Sequence, residues 1–120
     1  MNHKDLNVWK ESMKLVKDVY QLLTAFPQHE QYGLCSQMRR AAVSIPSNIA
    51  EGCGRNSDKE LIHFCHISQG SLAELETQLL IAADLNYMDS ENAIFNQLMK
   101  VGKLMSGFIH YLQTKPDVQN

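Results

Sequence analysis

Nothing in the chain alternates apolar and polar residues over the length of a strand, and no internal repeat or low-complexity tract divides it. Sheet-based and solenoid folds are therefore not expected. Apolar runs are short: none approaches the roughly 18 residues of a membrane span, and the N-terminus lacks the apolar core of a signal peptide. The expectation is a soluble, cytoplasmic protein with no membrane partner. The three cysteines, Cys35, Cys53 and Cys65, are odd in number and form no CxxC spacing, so they read as reduced, buried thiols rather than a disulfide framework or metal knuckle. No glycine-rich loop follows a strand, and no serine or cysteine has a base and an orienting acid at motif spacing. An enzyme is not expected, nor is a cofactor. There is no basic excess either: the formal net charge is -2, which by itself does not announce a nucleic-acid binder.

What is present is ordinary for a globular chain, with 44% hydrophobic and 20% charged residues among 120. That length suits one domain, here 1–120, with an ordered bundle over about 6–113 between short polar tails. The charges are unevenly spread. Residues 1–60 hold eight Lys/Arg against seven Asp/Glu, and residues 61–120 hold three against six. Any anion-binding surface is expected on the first two helices.

Helical periodicity accounts for most of the chain. Asp5 or Asn7 can cap a helix running to about Ala25, with Trp9, Met13, Val16, Tyr20 and Leu23 on its apolar side. Lys10, Lys14 and Lys17 share another side, as on a solvated face. Phe26-Pro27 ends this helix, because the residue before proline is pushed out of the α region. A second helix runs from near Glu30 to about Cys53, where Gly52 and Gly54 can take a left-handed closing conformation. Ser57 and Glu60 form a capping box for a third, long helix reaching about Leu85. Its core face is Leu61, Phe64, Ser68, Ser71, Leu72, Leu75, Leu79 and Ala82, while Ile62 and Leu80 lie on another face that a monomeric bundle would leave wet. Asn86 can close this helix, Asp89 or Ser90 can cap a fourth, and Pro116 stops it. The fourth helix buries Ile94, Leu98, Val101, Met105, Phe108 and Leu112. The expected fold is all-α, an antiparallel up-down-up-down four-helix bundle.

The most distinctive stretch is QMRRAAVSIPSNIAEGCGR, residues 37–55. At about 100° per residue, Met38, Ala42, Ile45, Ile49 and Cys53 fall together, and Val43 and Ala50 widen the apolar arc to roughly 180°. That width implies burial from two directions. Arg40, Ser44, Ser47, Glu51 and Arg55 form an axial ladder on the remaining face, with Asn48 beside it. Arg39 projects toward the apolar arc, so it must be paired or lie at a subunit boundary. Pro46 removes the hydrogen bond to the carbonyl of Ala42, and a kink without a break is expected.

This block, with DLNVWKESMKLVKDVYQL and GSLAELETQLLIA, resembles the small four-helix-bundle proteins encoded in intervening sequences of bacterial 23S ribosomal RNA genes. The resemblance runs from about Asp5 to Leu112. It implies an antiparallel four-helix bundle assembled as a homopentamer. It also suggests kinship with the pentameric accessory protein of diversity-generating retroelements, which binds nucleic acid and a reverse transcriptase.

The candidate nucleic-acid contacts are Arg40, Arg55, Lys10, Lys14 and Lys17, with Arg40 expected to be exposed. Arg39, Ser44, Ser47, Asn48, Glu51, Ile62 and Leu80 are candidates for an oligomer interface. Phosphate contacts on RNA or DNA and an intersubunit ion-pair network with Glu51 both suit the arginines. A protein-binding scaffold is the alternative function, favoured by the acidic net charge and by the lack of an evident base-stacking surface. Glu60 and His63 have the Glu-x-x-His spacing of di-iron bundles, but such sites need two of these motifs and two further glutamates. No metal is expected.

Overall fold

Ser57 illustrates how local chemistry begins a helix here. Its hydroxyl oxygen accepts from the amide of Glu60 at 3.2 Å and its hydroxyl donates to the Glu60 carboxylate at 3.3 Å. The carboxylate thus reaches the serine hydroxyl rather than its amide, a variation on the expected capping box. The computed structural model describes residues 1–116. They contain four helices: α1 Asn7–Leu23, α2 Leu34–Cys53, α3 Asp58–Asp84 and α4 Ile94–Thr114, with single 3-10 turns at His3–Asp5 and Gln28–Glu30. No strand occurs among the described residues. The helices pack in cyclic order, each against its two neighbours, in a body 56 × 24 × 20 Å.

Side-chain contacts run in opposite senses along adjacent helices. Lys115, just past the end of α4, pairs with Asp58 at the start of α3 at 2.9 Å. Ser68 of α3 reaches the Ile45 carbonyl, while Ser71, further along, meets the earlier Ser44. The seam between α2 and α3 is made of small residues and is therefore tight. Ser44 and Ser71 hydroxyls lie 2.8 Å apart, and the buried Ser68 hydroxyl donates to Ile45 O at 2.8 Å. Asn48 Nδ2 donates to both the carbonyl and the hydroxyl of Ser44 at 2.9 Å.

Several expected details are corrected. On α1 the inward row is Val8, Ser12, Leu15, Val19 and Leu23; of the expected stripe, only Leu23 is fully buried. Trp9 and Val16 are half-buried, and Met13 and Tyr20 are exposed. Ser12 hides the true row by interrupting its apolar period. Its hydroxyl donates to the Val8 carbonyl at 2.6 Å, which satisfies the group within the core.

The N-cap position of α1 is Leu6, neither Asp5 nor Asn7, and no side chain caps it. Helix α2 starts at Leu34 after a separate turn, with Gly33 at its N-cap. Neither Gly52 nor Gly54 is left-handed: no described glycine has a positive φ, and Gly54 closes the helix at φ −81°. Asn86 does adopt the left-handed region, at φ 61°, as a helix-closing asparagine does. Helix α4 starts later than expected, since Asp89 accepts from the Glu91 amide and Asn92 from the Ile94 amide in local turns. Ile109 is buried where Phe108 was expected, and Phe64 is only half-buried, while Cys65 lies in the core as expected of a buried thiol. Ile62 is half-buried against its own chain's core. Helix α2 runs unbroken through Pro46, which is itself buried. Lys115 is extended before Pro116, which ends α4.

One polar clasp ties α1 to α4. Glu11 accepts from Gln97 Nε2 at 3.1 Å and pairs with Lys14 and Lys100, each at 3.2 Å. The Gln97 hydrogen bond, then those from Lys14 and Lys100, hold its carboxyl at about 2, well below 4.5. A depressed folded-state value contributes stability that is full above the unfolded value and is lost as pH falls from 4.5 toward about 2. Glu11→Gln is accordingly expected to destabilise the protein near neutral pH and to flatten the acid limb of its stability profile. Urea unfolding across that pH range checks this: the two proteins should converge at the acid end.

Candidate nucleic-acid interface

Helices α1 and α2 each carry a second row of side chains beside the buried one, and the two rows face each other across an open groove. At one end, Tyr20 of α1 and Ser36, Arg39, Arg40, Val43 and Ser44 of α2 line a concavity of about 760 Å³. Val43 is shared with a second concavity of about 330 Å³, where His3, Trp9, Met13 and Val16 face Pro46, Ser47 and Ala50. Among the described residues, no acidic side chain lines either one. His3 meets Trp9 edge-on, with ring centroids 5.2 Å apart.

The structure separates the candidate cations. Arg40 is exposed and, among the described residues, makes no ion pair. Arg39 is half-buried, and its partner is a backbone carbonyl: Nη2 donates to Gln31 O at 2.9 Å. That bond ties α2 to the preceding turn, next to Tyr32, whose side chain is 93% exposed. Lys10 and Lys17 are exposed on α1 and stand three residues before the groove residues Met13 and Tyr20, which helical spacing makes their neighbours. Neither lysine lines either concavity. Lys14 turns toward α4 and pairs with Glu11.

Arg55 lies apart from this group, beyond the end of α2. It pairs with Glu51 at 3.0 Å and sits 5.0 Å from the Phe64 ring centroid. With Lys115, itself paired to Asp58, it lines a separate cavity of about 490 Å³ at the bundle end.

Of the interface candidates, Ser44 and Asn48 bond each other, and Ser44 also reaches Ser71, all within the chain. Ser47 and Glu51 are exposed, and Leu80 is 53% exposed. Further large apolar side chains on the surface are Ile67, Ile81 and Leu85 of α3 and its end, and Met99 of α4.

Sequence reasoning missed Trp9 and Tyr20 as groove residues because their spacing was absorbed into the core stripe of α1, and it did not single out Ser36 of α2 at all. The available signal was doubled periodicity on α1, since Val8, Leu15 and Val19 form one apolar row and Trp9, Val16 and Tyr20 another.

Several other polar and reactive groups are engaged or buried. Burial raises all three thiols, pushing Cys65 up to about 11, so they stay protonated and weakly nucleophilic. Tyr87 donates to Glu30 at 2.8 Å, and that bond raises its phenol. Glu60 is engaged with Ser57, and His63 stands exposed, edge-on to Phe64. Among the described residues, no three His, Cys, Asp or Glu side chains are grouped to hold a metal ion, and no helix is long and apolar enough to cross a membrane.

No curated protein matches the chain. Four helices in cyclic packing, with the RRAAVSIPSNIAEG block on α2, are accompanied by a family match across residues 4–107, and the chain belongs to the 23S rRNA-intervening sequence protein family.

Proposed function

We propose that this is a non-enzymatic, oligomeric nucleic-acid-binding protein that contacts RNA through the outer surface of α1 and α2. The observation that carries the reading is Arg40, which among the described residues is exposed, makes no ion pair and stands beside a groove lined by no acidic side chain. The family name, with its reference to 23S rRNA, supports RNA as the partner class. One protomer offers few cations, whereas several copies in one assembly multiply weak phosphate contacts into useful affinity. A homopentamer in the cytoplasm is the assembly proposed. Ile67, Ile81 and Leu85 support a self-association surface, being large, apolar and exposed along the outer side of α3.

Light scattering should return a mass near five times 13.6 kDa, and a monomer at micromolar concentration would remove the oligomer from the proposal. A labelled RNA should shift on a native gel with the intact assembly and lose the shift as salt is raised. Absence of any shift at low salt would favour the second reading, a protein-binding scaffold. The apolar surface side chains of α3 and α4 are what favour that alternative.

A further inference from the structure

The groove has features that phosphate binding alone does not require. Tyr20 is 45% exposed beside Arg39 and Arg40. Trp9 lies further along the same furrow, joined to it through Val43. Eleven residues separate the two rings on α1, a span of ~16 Å at helical rise, which several nucleotides of an extended strand can cover. The lining between them is small or apolar apart from His3, with Arg39 and Arg40 at the Tyr20 end.

Resting on the nucleic-acid reading above, we propose that this groove selects single-stranded nucleic acid, with bases stacked on Tyr20 and Trp9 and the backbone held by Arg40 and Lys17. The physical case is one of shape and chemistry. Duplexes are read by convex elements that enter a groove of the nucleic acid or span its phosphates. Here the protein supplies the concavity, between helices whose axes pack about 8–10 Å apart. A paired helix, with its bases stacked inward, can present only its backbone to such a furrow. An unpaired strand can turn its bases onto the rings and leave its phosphates at the cationic rim. Aromatic stacking accepts any base, so discrimination is by strandedness and weakly by sequence. Among the described residues, no acidic side chain lines the furrow to repel the backbone.

Trp9 is the only tryptophan in the chain, so its fluorescence reports on the groove alone. The test titrates the full-length native assembly with a labelled oligouridine strand and with the same strand annealed to its complement. Anisotropy of the label measures binding, and Trp9 emission measures occupancy of the groove. The expected result is tighter binding of the single strand, accompanied by quenching of Trp9. Tyr20→Leu should weaken single-strand binding about tenfold, the typical worth of one stacked base. Tyr20→Phe should restore it, since it keeps the ring. Circular dichroism of both variants confirms the fold.

Equal affinity for both forms, or binding with unchanged Trp9 emission and no effect of Tyr20→Leu, would overturn this inference while leaving RNA binding in place. No anisotropy change with either form at low salt would overturn the inference and the nucleic-acid reading together.

Discussion

Gly52→Ala is expected to lower stability by about 2 kcal/mol, against the sign that helix propensity predicts. Inside an exposed helix, alanine gains roughly 1 kcal/mol over glycine. Position 52 is not such a place. A Cβ there would lie 2.8 Å from Leu61 Cδ1, 2.9 Å from Phe64 Cβ and 3.2 Å from Leu61 Cα. The Leu61 methyl could rotate away. Phe64 Cβ and Leu61 Cα belong to the rigid part of α3, so one helix must move relative to the other. Overpacking of this kind typically costs 1–3 kcal/mol.

Gly107 supplies the opposite case within the same protein. It lies on an exposed turn of α4, and a Cβ there would meet nothing within 4 Å. Gly107→Ala should therefore stabilise by about 0.5–1 kcal/mol. Urea unfolding of both variants reads the contrast directly. Stabilisation by both substitutions would mean that α2 and α3 are less closely apposed than these distances require.

This contrast also marks what sequence could disclose. Gly52 was recognisable as special, but glycine near a helix end is ambiguous between a left-handed closure and a close approach. Only the position of Leu61 and Phe64 across the seam decides between them. Asn86, by contrast, was legible because the need is local: the chain must turn after α3, and asparagine tolerates positive φ.

The four helices were legible because their apolar periods are long. Rotation of α1 was not, since Ser12 occupies the buried row and the bulk of Trp9, Met13 and Tyr20 marks its neighbour. That small error had a functional consequence. It placed two aromatic rings in the core and left the α1–α2 surface looking devoid of stacking groups. Arg39 presents a similar case. Its half-burial was readable from the helical wheel, but its partner, the Gln31 carbonyl eight residues earlier, depends on how the loop before α2 folds back.

The two adjacent arginines should consequently part company when each is replaced. Arg40→Ala is expected to leave oligomer size and unfolding unchanged, because the exposed Arg40 makes no ion pair among the described residues. It should weaken RNA binding about equally across sequences and flatten the dependence of log K on log salt. Removing one cation from a single-strand phosphate makes that slope shallower by ~0.7, so the measured change reveals how many protomers of one assembly engage the strand. Arg39→Ala removes a charged donor from Gln31 O and loosens the turn before α2. A hydrogen bond of this class contributes about 1.5–3 kcal/mol, toward the lower end here because the group is only half-buried. Its partner is a neutral carbonyl, so no carboxylate is left stranded and the several-kcal/mol penalty of a broken buried ion pair is not expected. Arg39→Ala should therefore appear mainly in the unfolding midpoint, and Arg40→Ala mainly in the salt titration. Sizing of both variants completes the comparison: equal loss of assembly from both would make the pair an intersubunit device, and an unchanged salt slope in Arg40→Ala would remove Arg40 from the RNA contact.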